Sequence, residues 1–395
     1  MSKITYIDQA EIKNKRILLR VDFNVTLNPD YTIADDERIR QAIPTIKYLL
    51  KHRNKIILVS HLDRPKGRNP KLSLKIVCRQ LSNHFPHLKI KLVDDFLTEK
   101  KETFTAQKPN EIFVLENIRY YPEEKSNTNH FSQKLAALAD IYVNDAFGVS
   151  HRPDASVVGV PHFLPSFGGL LLKKEIRMIS KVMDKPEKPV VAIIGGAKIS
   201  TKIHFIDKLL EIADQVLIGG GLANTFLCAK GIKIGKSFCE YEQTQNARKL
   251  LFLAKKKKTI IITPEDVVVA KSMTGNDSRV IKTETVQAGD YILDIGPETQ
   301  AQYGAIIAQA KTIIWNGPVG YIENPAYRRG TDFIYYAITH NPDVVSIVGG
   351  GDTLAAISKK EYLDKITHIS TGGGAMLEFI EKGTLPGIKA LKSKT

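Results

Sequence analysis

The stretch VVAIIGGAK, residues 190–198, reads as a strand running into a turn: five unbroken apolar residues, then Gly195-Gly196 and Lys198. An apolar run without polar alternation suits a parallel strand covered on both faces. Paired glycines let the backbone turn sharply or approach a ligand closely. The pattern repeats outward from this point. Downstream lie QVLIGGG (215–221), TIIITPEDVVV (259–269), YILDIGP (291–297), TIIWNGP (312–318), VVSIVGGGD (344–352) and HISTGGG (368–374). Upstream lie RILLRVDF (16–23), KIILVSH (55–61), IFVLENI (112–118) and IYVNDAF (141–147). Helical periodicity separates several of them: Ile39, Ile43, Ile46 and Leu50 share one face, as do Ile199, Ile203, Ile206 and Leu210. Strands alternating with helices imply βαβ units and parallel sheets, so the expected fold class is α/β.

In open parallel sheets ligands bind beyond the carboxyl ends of the strands, and the chemistry at those ends changes midway along the chain. Before about residue 155 they carry Asp22, Asn24, His61, Arg64, Arg119 and Arg152, with Arg38 nearby. A guanidinium is a planar fork of donors that matches phosphate and carboxylate oxygens. Taken singly, each arginine reads as a surface ion pair, His61 as a packed histidine, and Asp22 and Asn24 as turn residues. Four arginines at equivalent strand ends point instead to a pocket for a multiply anionic small molecule. After about residue 190 the ends carry glycines: Gly195–Lys198, Gly219–Gly221, Gly349–Thr353 and Gly372–Gly374. Such turns, each followed by a helix presenting free N–H groups, suit nucleotide phosphates. Lys198 and Lys202 are expected four residues apart on a helix opening at GGAK. Asp352 is either a helix N-cap or a carboxylate for Mg²⁺, which takes only one or two protein carboxylates. No GxGxxG occurs, and GIKIGKS (231–237) is one residue short of a Walker A loop.

Two proline-bearing segments, VPHFLP (160–165) and MDKPEKP (183–189), flank the helix-like FGGLLLKKEIRMISKV (167–182). They mark an interdomain helix with linkers at both ends. The chain has 395 residues, 43% of them hydrophobic, enough for two or three cored domains. No apolar stretch approaches the roughly 18 residues of a membrane span. The opening MSKITYIDQAEIKNKR lacks the apolar core of a signal peptide. Three cysteines with no CxxC pair suit a reducing cytoplasm. The net charge of +15 favours anionic partners. Its densest run, Lys255–Lys258, reads as a solvated helix C-terminus rather than a nucleic-acid patch, since no aromatics interleave it.

The ordered series RVDFNV (20–25), DERI (36–39), HLDRPKG (61–67), LENIRY (115–120), YVNDAFG with His151-Arg152, GGAKISTKI (195–203), GGGLANTF (219–226), DIGPET (294–299), WNGPVGYIE (315–323), GGGDT (349–353) and STGGGAMLEFIEKGTLPGI (370–388) resembles the phosphoglycerate kinase family. The resemblance implies two Rossmann-like lobes, each a parallel sheet flanked by helices. It implies a phosphoglycerate-binding lobe of residues 1–166 with a returning segment 380–395, an interdomain helix at 167–184, and a nucleotide-binding lobe of residues 185–379. It further implies a cytoplasmic, monomeric glycolytic enzyme with Mg²⁺ as cofactor and ATP or ADP as co-substrate. Asp22, Asn24, Arg38, His61, Arg64, Arg119 and Arg152 would bind phosphoglycerate. Lys198, Lys202, Gly219, Asn316, Glu323, Gly350, Gly351, Asp352 and Thr353 would bind nucleotide, with Asp352 on the metal. Arg38, Lys198, Gly372 and Gly373 would meet the transferring phosphoryl. Another two-lobed metabolite kinase is the nearest alternative, and a basic nucleic-acid-binding protein a distant one. Three positions depart from the family pattern: Thr26, Asp63 in place of glycine beside Arg64, and Asp154 in a segment without the customary histidine.

Overall fold

The computed structural model describes residues 4–275, 277–349, 351–357 and 361–392, and of Asp352 only the backbone. The chain divides into two compact units, residues 1–177 with 384–395, and residues 178–383.

Unit 1 carries strands β1 (Arg16–Arg20), β2 (Thr26–Leu27), β3 (Ile33–Asp35), β4 (Lys55–Val59), β5 (Lys89–Val93), β6 (Glu111–Leu115), β7 (Ile141–Asn144) and β8 (Ser166–Gly168). Its helices are α1 (Glu37–Lys51), α2 (Lys75–His84), α3 (Lys101–Thr105), α4 (Pro122–Ser126) and α5 (Asn129–Ala136). Helix α6 (Leu170–Asp184) follows and contains the boundary between the units. The sheet order is β5-β6-β4-β1-β7-β8, parallel throughout, while β2 and β3 form a separate antiparallel pair. β6 and β7 are buried at every residue, as unbroken apolar runs require when helices cover both faces. α1 buries Ile39, Ala42, Ile46 and Leu49, with Ile43 and Leu50 half-buried at the margin. The apolar stripe is thus centred slightly off the isoleucine face read from the sequence.

Unit 2 carries β9 (Val190–Ile194), β10 (Gln215–Ile218), β11 (Ile260–Ile262), β12 (Asp266–Ala270), β13 (Ser278–Lys282), β14 (Tyr291–Ile295), β15 (Thr312–Asn316), β16 (Val345–Gly349) and β17 (His368–Ser370). Its helices are α7 (Ile203–Leu209), α8 (Gly220–Ala229), α9 (Thr244–Lys257), α10 (Pro297–Gln309), α11 (Arg329–Thr339), α12 (Gly351–Ala356) and α13 (Gly373–Lys382). A parallel sheet runs β11-β10-β9-β15-β16-β17, and a second, antiparallel sheet runs β13-β12-β14. Lys255–Lys257 occupy the last turn of α9, where cations complement the helix dipole.

Four sequence expectations need correction. TIIITPEDVVV is two strands in two sheets: Pro264 has no N–H to continue the ladder, and Asp266 turns its carboxylate to the start of α10, accepting from Thr299 N at 2.7 Å and Glu298 N at 3.0 Å. The helix expected at 167–184 begins at Leu170, because Ser166–Gly168 pair with β7 as an edge strand. The return to unit 1 starts at Thr384 rather than 380, since α13 runs on to Lys382 and is capped by Gly383 in the left-handed region (φ +68°). It then forms α14 (Pro386–Ala390), whose Gly387 N donates to Ser150 O at 2.8 Å. Finally, α7 starts at Ile203, so Lys198 and Lys202 lie in the turn before it and are not helical neighbours.

Candidate active site

In unit 1 the chain passes from β1 to β4 on one side and later places β7 on the other. The ends of four adjacent strands, β6, β4, β1 and β7, therefore lead into the segments bearing Arg119, His61 with Arg64, Asp22 with Asn24, and Arg152. Arg38 stands in the first turn of α1 and pairs its Nη1 with Asp22 Oδ2 at 2.5 Å. His61 is buried, and Arg20 Nη2 stands 3.4 Å from its Nδ1. Burial first, then the guanidinium charges of Arg20, Arg152, Arg38 and Arg64, hold its pKa well below the usual histidine value. The ring is therefore neutral at neutral pH, and its 3.7 Å approach to Asp22 Oδ1 is no ion pair. With Arg20 donating to Nδ1, the hydrogen sits on Nε2, leaving a donor for an anion.

Sequence reasoning missed Arg20, which looked like the end of a strand. It is 1% exposed and donates from Nε to Ser156 Oγ at 2.8 Å. Ser156 in turn bonds Glu124, through Oγ at 2.5 Å and N at 2.9 Å. Burial pushes the Glu124 carboxyl up to about 7, with Arg20 pulling the other way. Burial likewise lowers the Arg152 pKa, with Asp154 and Asp22 opposing, while Arg64 is exposed. Asp63 occupies the left-handed region (φ +55°), where a family glycine costs nothing and an Asp is tolerated. Its backbone is what the site uses: N–H donates to Asn24 Oδ1 at 2.6 Å, and C=O accepts from Arg119 Nη1 at 2.6 Å.

In unit 2 the strand order reverses between β9 and β15. There Lys202 Nζ donates to Gly195 O at 2.7 Å and Asn316 O at 3.3 Å, closing the two strand ends together. A cavity of about 660 Å³ opens beside this junction. Its lining combines Gly196, Gly220 and Gly221 with apolar Leu227, Val267, Leu293 and Val319, and with exposed Glu323. Gly220 has φ +66°, and a Cβ there would stand 2.8 Å from Gly196 and Pro318 backbone atoms. Gly219 is the N-cap of α8. Asn316 is buried and donates to Gly349 O at 2.8 Å. Thr353 is wholly buried, its hydroxyl held by Gly317 N at 2.7 Å and Gly349 O at 2.8 Å, so it shapes the strand ends rather than facing outward. Gly372 caps α13, Gly373 is its first residue, and Lys198 is exposed. Gly351 opens α12; Gly350 and the Asp352 side chain lie outside the described residues. The rejected segment 231–237 nonetheless contributes Lys236 and Ser237 to the cavity, a closeness that only folding creates.

A conserved-family model described as Phosphoglycerate kinase matches residues 7–383. The chain belongs to the phosphoglycerate kinase family. It is 46% identical over 396 residues to "Phosphoglycerate kinase" of Moorella thermoacetica, with both chains fully covered. It is equally 46% identical over 397 residues to that of Dictyoglomus turgidum, again with full coverage. Among solved structures, phosphoglycerate kinase from Coxiella burnetii superposes with a TM-score of 0.86 at 38% identity, over 98% of this chain and 99% of that one. This kinase-family chain shares its two-sheet α/β layout with that structure.

Proposed function

We propose that unit 1 binds 3-phosphoglycerate or 1,3-bisphosphoglycerate and that unit 2 binds ADP or ATP, in the reversible phosphoryl transfer that gives the family its name. The observation that carries the reading is the gathering of Arg119, neutral His61 and Arg152 after neighbouring strands β6, β4 and β7, with Arg38 of α1 paired to Asp22 after β1. Their forks match a phosphate and a carboxylate at once. The apolar cavity of unit 2 suits a nucleoside; its lining glycines would meet the phosphates, and Glu323, also of the lining, would accept from ribose hydroxyls. Asp352, whose backbone belongs to the first turn of α12, would supply the one carboxylate for Mg²⁺ that the nucleotide's phosphates require. When bound, the metal supplies charge neutralisation to the polyphosphate.

The acceptor in the ATP-consuming direction is a carboxylate already ionised at neutral pH, so no general base is required. The obstacle is repulsion between anions. Arg38 and Lys198 would clamp the oxygens of the transferring group, and the amides at Gly372–Gly374 add donors. Donor and acceptor must approach to about 3–3.5 Å, so binding of both substrates would draw the units together and exclude water. The enzyme would work as a cytoplasmic monomer. A coupled assay with 3-phosphoglycerate, ATP and Mg²⁺ tests the reading. Turnover that vanishes without 3-phosphoglycerate is expected; equal turnover with another carboxylic acid would redirect it to a different metabolite kinase.

A further inference from the structure

The segment Gly196–Lys202 carries the lysine assigned to the transferring phosphoryl, yet it is neither strand nor helix. Hydrogen bonds fix its ends: Gly196 N donates to Pro318 O at 2.7 Å, Leu222 N donates to Gly196 O at 3.0 Å, and the Lys202 side chain donates from Nζ to Gly195 O at 2.7 Å. Ile199 is wholly buried. Ser200, by contrast, is exposed, and both of its donors go to one carboxylate. Its N–H reaches Glu240 Oε2 at 3.0 Å and its hydroxyl reaches Oε1 at 2.5 Å. Glu240 is 8% exposed, and its own N–H donates to Thr225 Oγ1 on α8 at 3.2 Å. Alongside, Asn224 of α8 donates to Phe238 O at 3.0 Å, and both residues line the nucleotide cavity. A near-buried carboxylate thus ties a loop to a cavity-forming helix, two residues from Lys198.

We propose that Glu240 is a positioning residue for Lys198, holding the Gly196–Lys202 loop through a two-point clamp on Ser200. This rests on the reading of Lys198 as the phosphoryl-facing lysine of unit 2. A loop without its own ladder has several conformers open to it, and the clamp selects one. Displacing a reacting-group donor by about 1 Å costs up to roughly 10²-fold in rate, so the clamp acts on turnover more than on nucleotide affinity. Glu240 itself is not among the residues that line the cavity.

Steady-state kinetics on Glu240→Ala, Glu240→Gln, Ser200→Ala and Lys198→Ala, singly and combined, test the proposal. Glu240→Ala is expected to lower kcat by about tenfold with little change in the nucleotide KM. Glu240→Gln, which keeps an acceptor oxygen, should recover most of the rate, and Ser200→Ala should lose a smaller factor. In the Lys198→Ala background neither change should cost anything further. Wild-type kcat in Ser200→Ala and Glu240→Ala, beside a collapsed Lys198→Ala, would overturn the clamp alone. Full activity of Lys198→Ala would overturn the lysine assignment and the clamp with it. Losses that multiply independently would also overturn it, by giving Glu240 a separate role. Should Glu240→Ala fold poorly, exposed Ser200→Ala decides the matter.

Discussion

Under the proposed function, Arg38 would serve two roles with a single side chain. Its ion pair with Asp22 at 2.5 Å fixes the guanidinium before substrate arrives, and its half-buried position leaves part of the fork for an anion. Arg38→Ala is expected to lower kcat about 10²-fold or more, because a donor that engages chiefly the transition state is lost. Arg38→Lys should recover only part, since a point charge lacks the planar fork. Near-normal kcat in a coupled assay of Arg38→Ala would refute its role. The residues proposed for substrate in unit 1 were picked out in the sequence because, Arg38 apart, they sit in polar clusters after apolar runs. Arg20 was not: its burial and its path through Ser156 to Glu124 join positions 136 and 32 residues apart, a closeness that only the folded sheet creates. Thr353 was legible as part of a glycine turn, but that its hydroxyl points into the strand junction was not.

At the level of elements, the glycine turns and the start of α6 carry the most specific demands. Gly220 opens α8 in the left-handed region, and an added Cβ would meet backbone at 2.8 Å. The conformation alone costs a non-glycine residue about 1–2 kcal/mol. Gly220→Ala should therefore lower the Tm by roughly 2–8 °C and weaken nucleotide binding in a calorimetric titration, with 3-phosphoglycerate binding retained. Asp145, just after β7, accepts from Leu171 N at 2.9 Å and Leu172 N at 3.1 Å and so holds the first turn of α6. Burial pushes its carboxyl from the ordinary 3.8 up to about 7. Between those values the native state binds the proton and the unfolded state does not. The contribution to stability is thus full below pH 3.8 and is lost as pH rises through 7. In Asp145→Asn nothing titrates there, so the Tm difference, variant minus wild type, should rise from pH 5 to pH 8. A difference independent of pH would show that Asp145 does not titrate in this window. The antiparallel β13-β12-β14 sheet escaped the sequence for two reasons: β12 and β14 are as apolar as the parallel strands, and periodicity cannot give strand direction, while exposed β13 (SRVIK) carries no apolar run and the break at Pro264 was read through.

On the scale of the whole molecule, unit 1 is built from two separated pieces of chain. Leu385, Ile388 and Leu391 are buried, and Gly387 lies so close to Ser150 and Val157 that a Cβ would clash with the valine. Burying each such aliphatic side chain contributes about 1.5–3 kcal/mol, so deleting residues from 384 onward should remove several kcal/mol from unit 1 alone. Chemical denaturation should then show unit 1 unfolding first, with 3-phosphoglycerate binding lost and nucleotide binding kept. A single transition at the wild-type midpoint would show the segment to be dispensable. The sequence announced the return only through the resemblance; nothing in GTLPGIKAL itself names its partner. The discontinuity also sets an order for biosynthesis. Unit 2 is one uninterrupted stretch of about 200 residues, which a ribosome makes in on the order of 10–40 s. Throughout that interval the nascent unit 1 waits without α14, so the portion translated first is the portion completed last, and its unfinished surface is what a chaperone would meet.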